Sequence, residues 1–161
     1  MIGVFIALSA AVVVAWAGCR DDLLSQAARD QILAIHNELR SSNIGWDCEL
    51  EGEAAAHAAQ CGAAMVPPAG RGLVWTRLDT FPPKHGDRLA SHQTIVTDEL
   101  RRLFARDDDF ENGLTPDAKQ ASFSNASKVG CSLYTDCTNR WGSHFGQMVC
   151  YYDQAAWNWN N

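Results

Sequence analysis

Apolar residues recur every three or four positions in residues 25–40, and the charged residues of this segment fall elsewhere on a helical wheel. The recurring apolar residues are Ala28, Ile32, Ile35 and Leu39. Spacing of this kind is typical of an α-helix with one buried face. The segment is therefore predicted to form an amphipathic helix whose apolar stripe packs against the rest of the protein.

A second helical pattern begins after Asp47, whose side chain can accept hydrogen bonds from the free N–H groups at a helix N-terminus. Glutamates follow at every second position, and negative side chains are favourable near that end of a helix. The predicted buried stripe consists mostly of small residues, namely Leu50, Ala54, Ala58, Cys61 and Met65. Small side chains allow a close approach to a neighbouring element, and Pro67-Pro68 ends the helix.

Three further elements are predicted from composition and spacing. Residues 73–78 lie between glycine-rich and Pro-Pro segments and have the composition of a short strand. Residues 91–105 have a helical pattern, with Ser91 as the N-cap. Residues 129–134 and 145–152 flank a loop rich in turn residues, which predicts an antiparallel hairpin. Helices before and between the strands of an antiparallel sheet indicate a layered α+β fold.

The N-terminal segment has the properties of a secretory leader. Residues 1–17 carry no charge, are mostly apolar and end in an Ala-Trp-Ala site. We expect a signal peptide removed before Gly18, with residues 18–161 forming a single domain. A transmembrane anchor is one alternative, but the apolar run is shorter than the roughly 20 residues that a spanning helix needs. A lipid-modified Cys19 is another, although no basic residue precedes the apolar run.

The charge balance narrows the range of partners. Acidic residues outnumber basic residues by 19 to 13, and the net charge is −6. A protein that binds nucleic acid or an anionic membrane surface would be expected to carry a basic patch. We therefore expect no nucleic-acid binding and no stable membrane insertion.

Cysteines are even in number and all lie beyond the predicted cleavage site. They are Cys19, Cys48, Cys61, Cys131, Cys137 and Cys150. In an exported chain this pattern predicts three disulfides, and there is no Cys-x-x-Cys pair of the kind that binds zinc. The residues alone leave the pairing open.

Three segments together resemble a known family. Trp46-Asp47-Cys48 joins the first two predicted helices, and the first of these carries His36-Asn37. Near the C-terminus, residues 124–131 read Ser-Asn-Ala-Ser-Lys-Val-Gly-Cys and residues 149–152 read Val-Cys-Tyr-Tyr. In order and approximate spacing these segments resemble the CAP superfamily of cysteine-rich secretory, antigen 5 and pathogenesis-related proteins, also called SCP/TAPS.

The resemblance implies a three-layer α-β-α sandwich with a small antiparallel sheet. It also implies that Cys131 pairs with Cys150 on adjacent strands, as in some members of the family. The short, secreted, single-domain CAP proteins of parasitic worms are the most similar members, which implies a role at a host interface.

The resemblance does not extend to the metal site that some CAP proteins form from two His and two Glu around a central cleft. Counting back from Gly130-Cys131 places Asp117 where these proteins have the His of a His-Tyr-Thr-Gln motif. Residues 70–73, at the position of their Gly-Glu-Asn motif, contain no carboxylate, and residues 62–70 contain no His. Glu99 matches the Glu of the third helix. Glu99 and Asp117 are thus the candidate ligands, but the resemblance implies no metal and no cofactor.

Other motifs of catalysis are absent from the sequence. There is no Gly-x-Ser-x-Gly nucleophile motif and no His-Glu-x-x-His pair, so the scattered histidines, including His57 on the second helix, are interpreted as surface or core residues. His36 is interpreted as a packing or hydrogen-bonding residue. The acidic run 107–109 is interpreted as a solvated turn.

These observations favour a secreted, disulfide-stabilised, non-catalytic CAP-like protein that binds an extracellular or host partner or a small apolar ligand. A metal-dependent extracellular hydrolase and a sterol or lipid carrier are the alternatives. Asn125 begins an Asn-Ala-Ser sequon and is a candidate for glycosylation in a eukaryotic host. Trp157 and Trp159 are interpreted as packing on the sheet, with a binding surface as the alternative.

Overall fold

The computed structural model describes residues 19, 24–62, 66–78, 88–105 and 116–156, with only the backbone described for 88–93. These residues form four helices and a four-stranded sheet. In chain order the elements are α1 (Gln26–Leu39), β1 (Gly45–Trp46), α2 (Cys48–Ala58), β2 (Gly72–Leu78), α3 (Arg88–Leu103), α4 (Pro116–Ser122), β3 (Lys128–Thr138) and β4 (His144–Tyr152). The predicted leader, the acidic run 107–109 and the two C-terminal tryptophans lie outside the described residues.

The first two helices form as predicted, with side-chain caps. The Ser25 hydroxyl accepts from the Ala28 N–H at 3.2 Å, and the Asp47 carboxylate accepts from the N–H groups of Glu49 and Leu50. The predicted continuation of α2 through Cys61 is wrong, because α2 ends at Ala58 and Cys61 has a φ of 53°. A left-handed backbone cannot continue a right-handed helix. Met65 lies outside the described residues.

Two other helix boundaries differ from the prediction. Helix α3 begins at Arg88, three residues before Ser91, so the prediction that Ser91 is the N-cap is wrong. Helix α4 was not predicted, since its seven residues are too few to show a clear period. Pro116 starts α4, a position where proline costs no hydrogen bond.

The sheet has the strand order β1-β3-β4-β2. Strands β3 and β4 form the predicted antiparallel hairpin, and β2 pairs antiparallel with β4. The two-residue strand β1 pairs parallel with β3, so the sheet is mixed rather than purely antiparallel.

The side chains of β4 alternate between two cores, which produces three layers. Met148, Cys150 and Tyr152 belong to the core under α1, α3 and α4, whereas Val149 and Tyr151 belong to the core under α2. The α+β class and the three-layer α-β-α sandwich are therefore confirmed.

Three disulfides cross-link the chain. Cys19 bonds to Cys48, Cys61 to Cys137 and Cys131 to Cys150. Cys131 and Cys150 lie directly opposite each other on β3 and β4. The structure agrees with the prediction of three disulfides and with the Cys131–Cys150 pairing that the resemblance implied. The sequence had left the other two pairings open.

Among the described residues, no helix combines the length and the apolarity needed to cross a membrane.

Candidate functional site

Glu99 lies on α3 beside β2, and both of its carboxylate oxygens accept hydrogen bonds. Thr76 Oγ1 donates to Oε1 at 2.8 Å, Arg102 Nε donates to Oε2 at 3.0 Å and Arg102 Nη2 donates to Oε1. The Arg102 guanidinium, with help from Thr76, lowers the pKa of Glu99. Glu99 is therefore an ionised carboxylate that already has a cationic partner.

Asp117, in the first turn of α4, is the second candidate carboxylate. Burial raises its pKa to about 6, and the charge of Arg102 acts in the opposite direction. Glu99 and Asp117 also raise the pKa of Arg102, Glu99 more strongly. The structure thus brings both candidate residues into the electrostatic range of one guanidinium.

Hydrogen bonds to distant parts of the chain hold helix α4 in place. Arg40, at the end of α1, donates to the carbonyl oxygens of Ala121 and Phe123 at 2.8 and 2.9 Å. Gln120 donates to the Gln154 carbonyl at 2.9 Å and accepts from the Ala156 N–H at 2.7 Å. These bonds fix the helix that carries Asp117.

His36 of α1 is fully buried beside the core under α1, α3 and α4. Its Nδ1 lies 2.7 Å from the Ile32 carbonyl oxygen, and its Nε2 lies 2.7 Å from the Tyr152 hydroxyl. Burial lowers the pKa of His36 to about 4, so the ring is neutral at pH 7 and bonds through one N–H. This geometry agrees with the interpretation of His36 as a hydrogen-bonding residue.

Three solved structures share this architecture. Na-ASP-1 matches with a TM-score of 0.53 and 16% identity over 98% of this chain, which spans 46% of that protein. BmVAL-1 matches with a TM-score of 0.50 and 18% identity, over 86% of this chain and 78% of that protein. MpPR-1i matches with a TM-score of 0.53 and 19% identity, over 83% of this chain and 92% of that protein. All three are CAP/SCP-TAPS proteins.

The chain has the CAP fold. At these identities the likeness establishes the architecture, as predicted from the sequence. No family model and no curated protein matches the sequence.

The cleft residues of this chain do not fit the metal site of the CAP fold. The oxygens of Glu99 that would coordinate a metal bind Arg102 and Thr76 instead. By the sequence resemblance, Asp117 stands where the metal-binding members have an imidazole. Gly72 packs so closely on the Gln120 side chain that a larger residue would collide with it. Arg102 is the residue that sequence reasoning missed here, although its position three residues after Glu99 on a helix was a visible signal.

A pocket lies on the other side of the sheet, beside α2. It has a volume of about 480 Å³ and is lined by Glu53, Ala56, His57, Gln60, Val66, Pro68, Arg71 and Tyr151. Arg71 Nη2 donates to Glu53 Oε1 at 3.2 Å, and His57 Nδ1 bonds to the Tyr151 hydroxyl. The sequence signal for this pocket was the spacing of four between Glu53 and His57, which places both on one face of a helix.

Cys19, Cys48 and Glu51 have ligand atoms close together, but both sulfurs are in a disulfide and Glu51 is paired with Arg29. Asn125 is exposed in the turn before β3, and its glycosylation stays a prediction. His85 and the side chain of His92 lie outside the described residues.

Proposed function

We propose that this chain is a secreted, disulfide-stabilised CAP-like protein that acts without catalysis, by binding an extracellular protein of a host or of its surroundings. The observation that carries the proposal is the Arg102–Glu99 pair. Both oxygens of the carboxylate that a metal in this cleft would need already accept hydrogen bonds, from Thr76 and Arg102, and this supports a non-catalytic role over the hydrolase alternative.

Secretion is supported by two independent features. Three disulfides are typical of proteins that fold in an oxidising compartment. Residues 1–17 also have the composition and the cleavage site of a signal peptide.

The turn between β3 and β4 offers a surface for protein binding. Trp141 is 76% exposed there, and the Arg140 guanidinium lies 4.6 Å from the centre of its ring. Tryptophan and arginine are enriched among residues that dominate binding energy at protein interfaces. A protein partner is favoured over a small apolar ligand, because the pocket beside α2 holds the charged side chains of Glu53 and Arg71 among its apolar lining.

The test has a catalytic part and a binding part. The secreted protein is assayed on peptide, ester and glycoside substrates with added Zn²⁺, beside Glu99→Gln and Asp117→Ala. It is also screened against an array of purified extracellular ectodomains. We expect no turnover and saturable binding to at least one ectodomain.

Trp141→Ser should weaken that binding about thirtyfold or more, since truncation of a hot-spot residue costs about 2 kcal/mol or more. Glu99→Gln is the control and should bind normally. Turnover that Asp117→Ala abolishes, or the absence of any ectodomain partner, would contradict the proposal.

A further inference from the structure

We propose that Glu53 and His57 form a binding site for a divalent transition-metal ion such as Zn²⁺ in the pocket beside α2. This inference goes beyond the proposed function and does not depend on it. It rests on an unpaired carboxylate oxygen and an available imidazole nitrogen on adjacent turns of one helix.

The carboxylate of Glu53 is held by one oxygen only. Oε1 accepts from Arg71 Nη2 at 3.2 Å, whereas Oε2 is the one buried side-chain oxygen or nitrogen among the described residues without a hydrogen-bond partner. A buried polar atom is rarely unpaired in a native protein, and a bound ion or water is a common explanation. Oε2 therefore lacks the hydrogen-bond donor or cation that a buried carboxylate oxygen normally has.

His57 presents the second ligand atom. Its Nδ1 bonds to the Tyr151 hydroxyl, and the two rings stack with their centres 5.7 Å apart. Within the described part of the chain, Nε2 has no hydrogen-bond partner. When Nδ1–H donates to the Tyr151 hydroxyl, Nε2 is the bare nitrogen that a metal needs, and metal-binding histidines usually donate their other N–H to a neighbouring oxygen.

Glu53 and His57 are spaced so that they can share one small cation, while the Arg71 guanidinium stays on the other oxygen of Glu53. Residues four apart on a helix have their Cβ atoms about 5–6 Å apart, so their side chains can converge on one ion. The Gln60 amide nitrogen points to the Ala56 carbonyl at 3.5 Å, which leaves its side-chain oxygen available as a third ligand. Imidazole with carboxylate oxygen is a donor set that binds Zn²⁺ and its first-row neighbours, and the pocket has room for water ligands.

This site is separate from the CAP cleft. Tyr151 belongs to the core under α2, whereas Thr76 binds Glu99 on the opposite face of the sheet. Substitutions in one site therefore leave the ligands of the other intact.

The test is calorimetric titration of the untagged, disulfide-bonded protein with ZnCl₂ at pH 7.5. We expect one Zn²⁺ per chain. His57→Asn keeps a group at the position of Nδ1 and removes Nε2, and Glu53→Gln keeps the shape and removes the charge. Each should weaken Zn²⁺ binding by more than about tenfold, and Tyr151→Phe, which changes only the positioning of His57, by about tenfold.

His144→Ala, which removes a surface histidine, and Glu99→Gln, which alters the cleft, are the matched controls and should bind as the wild type does. A second measurement protects against unfolding of the variants: Zn²⁺ should shield His57 of the wild-type protein from diethyl pyrocarbonate, as read by peptide mass spectrometry. Binding that survives both His57→Asn and Glu53→Gln, binding lost in Glu99→Gln, or no binding below millimolar Zn²⁺ would overturn the proposal.

Discussion

Arg29 of α1 and Glu51 of α2 form a doubly hydrogen-bonded ion pair in the interior of the protein. Arg29 Nε and Nη2 donate to the two Glu51 oxygens at 3.1 and 3.0 Å, and both side chains are at most 2% exposed. Trp46 Nε1 donates to Glu51 Oε2 at 2.9 Å, so the carboxylate has three donors. The pair therefore connects the helices of the two outer layers to each other near β1, the strand at one edge of the sheet.

Removing the charge of Glu51 should strongly destabilise the protein, because it takes away the buried carboxylate that Arg29 binds through two hydrogen bonds. Glu51→Gln is expected to lower the free energy of unfolding by about 3–5 kcal/mol. Urea denaturation at pH 7 measures the change. Asp98→Asn is the control, since the Asp98–Arg101 pair is exposed on α3 and should contribute less than about 1 kcal/mol. Equal effects of the two substitutions would contradict the assignment of a structural role to the buried pair.

Stability should fall on acidification because of His36. Its pKa is about 4 in the folded protein and 6.5 in the unfolded chain, so between these values the unfolded chain binds the extra proton. The contribution of His36 is complete above pH 6.5 and is lost as the pH falls to 4, at a cost of roughly 3 kcal/mol. Urea titrations from pH 7 to pH 4 should show this slope in the wild type. A His36→Gln variant with an unchanged slope would show that another group is responsible.

Asp117 should have the opposite pH dependence. Its folded pKa of about 6 exceeds the ordinary value of 3.8, so the folded protein binds the extra proton between these values. This contribution to stability is complete below pH 3.8 and is lost as the pH rises through 6. Asp117→Asn should therefore raise the melting temperature at pH 7.5 and leave it nearly unchanged at pH 3.8. A lower melting temperature at pH 7.5 would show that the ionised carboxylate stabilises the cleft.

Two glycines near each other should respond oppositely to alanine. Gly130 of β3 lies against the backbone of Leu50 and Glu51, and an added Cβ would collide with it, whereas a Cβ at Gly52 of α2 meets nothing within 4 Å. Gly52→Ala should stabilise by about 1 kcal/mol through helix propensity. Gly130→Ala should destabilise, because backbone atoms cannot move aside as a flexible side chain can. Thermal melts of both variants check the prediction, and a neutral Gly130→Ala would contradict this packing of α2 on the sheet.

The disulfides should be complete and should contribute to stability. A non-reducing peptide map of the secreted protein is expected to show Cys19–Cys48, Cys61–Cys137 and Cys131–Cys150 without free thiols. Replacing Cys61 and Cys137 together by alanine should cost about 2–5 kcal/mol of unfolding free energy. Two or more cysteines that react with an alkylating agent before reduction would contradict the three-bridge assignment.

Local sequence determined the main elements of this protein. The stripe of α1, the caps Ser25 and Asp47 and the β3–β4 hairpin depend on residues close together in the chain, so spacing and turn chemistry predicted them. The resemblance then predicted the layers. It also drew attention to Glu99 and Asp117, and the spacing of three between Glu99 and Arg102 was a visible signal of their pairing, but spacing did not reveal that the same guanidinium also acts on Asp117.

Only the tertiary structure decided what the distant residues do. The parallel pairing of Gly45 with Lys128, the bridge from Cys61 to Cys137 and the meeting of His57 with Tyr151 each join segments far apart in the chain. Such contacts follow from how the layers pack around their two cores, which no short-range pattern encodes. Arg102 is an exposed residue of α3, and only the packing of α3 and α4 brings Asp117 within range of its charge. The sequence thus specified the helices and strands, and the packing of those elements determined the chemistry of the cleft and of the α2 pocket.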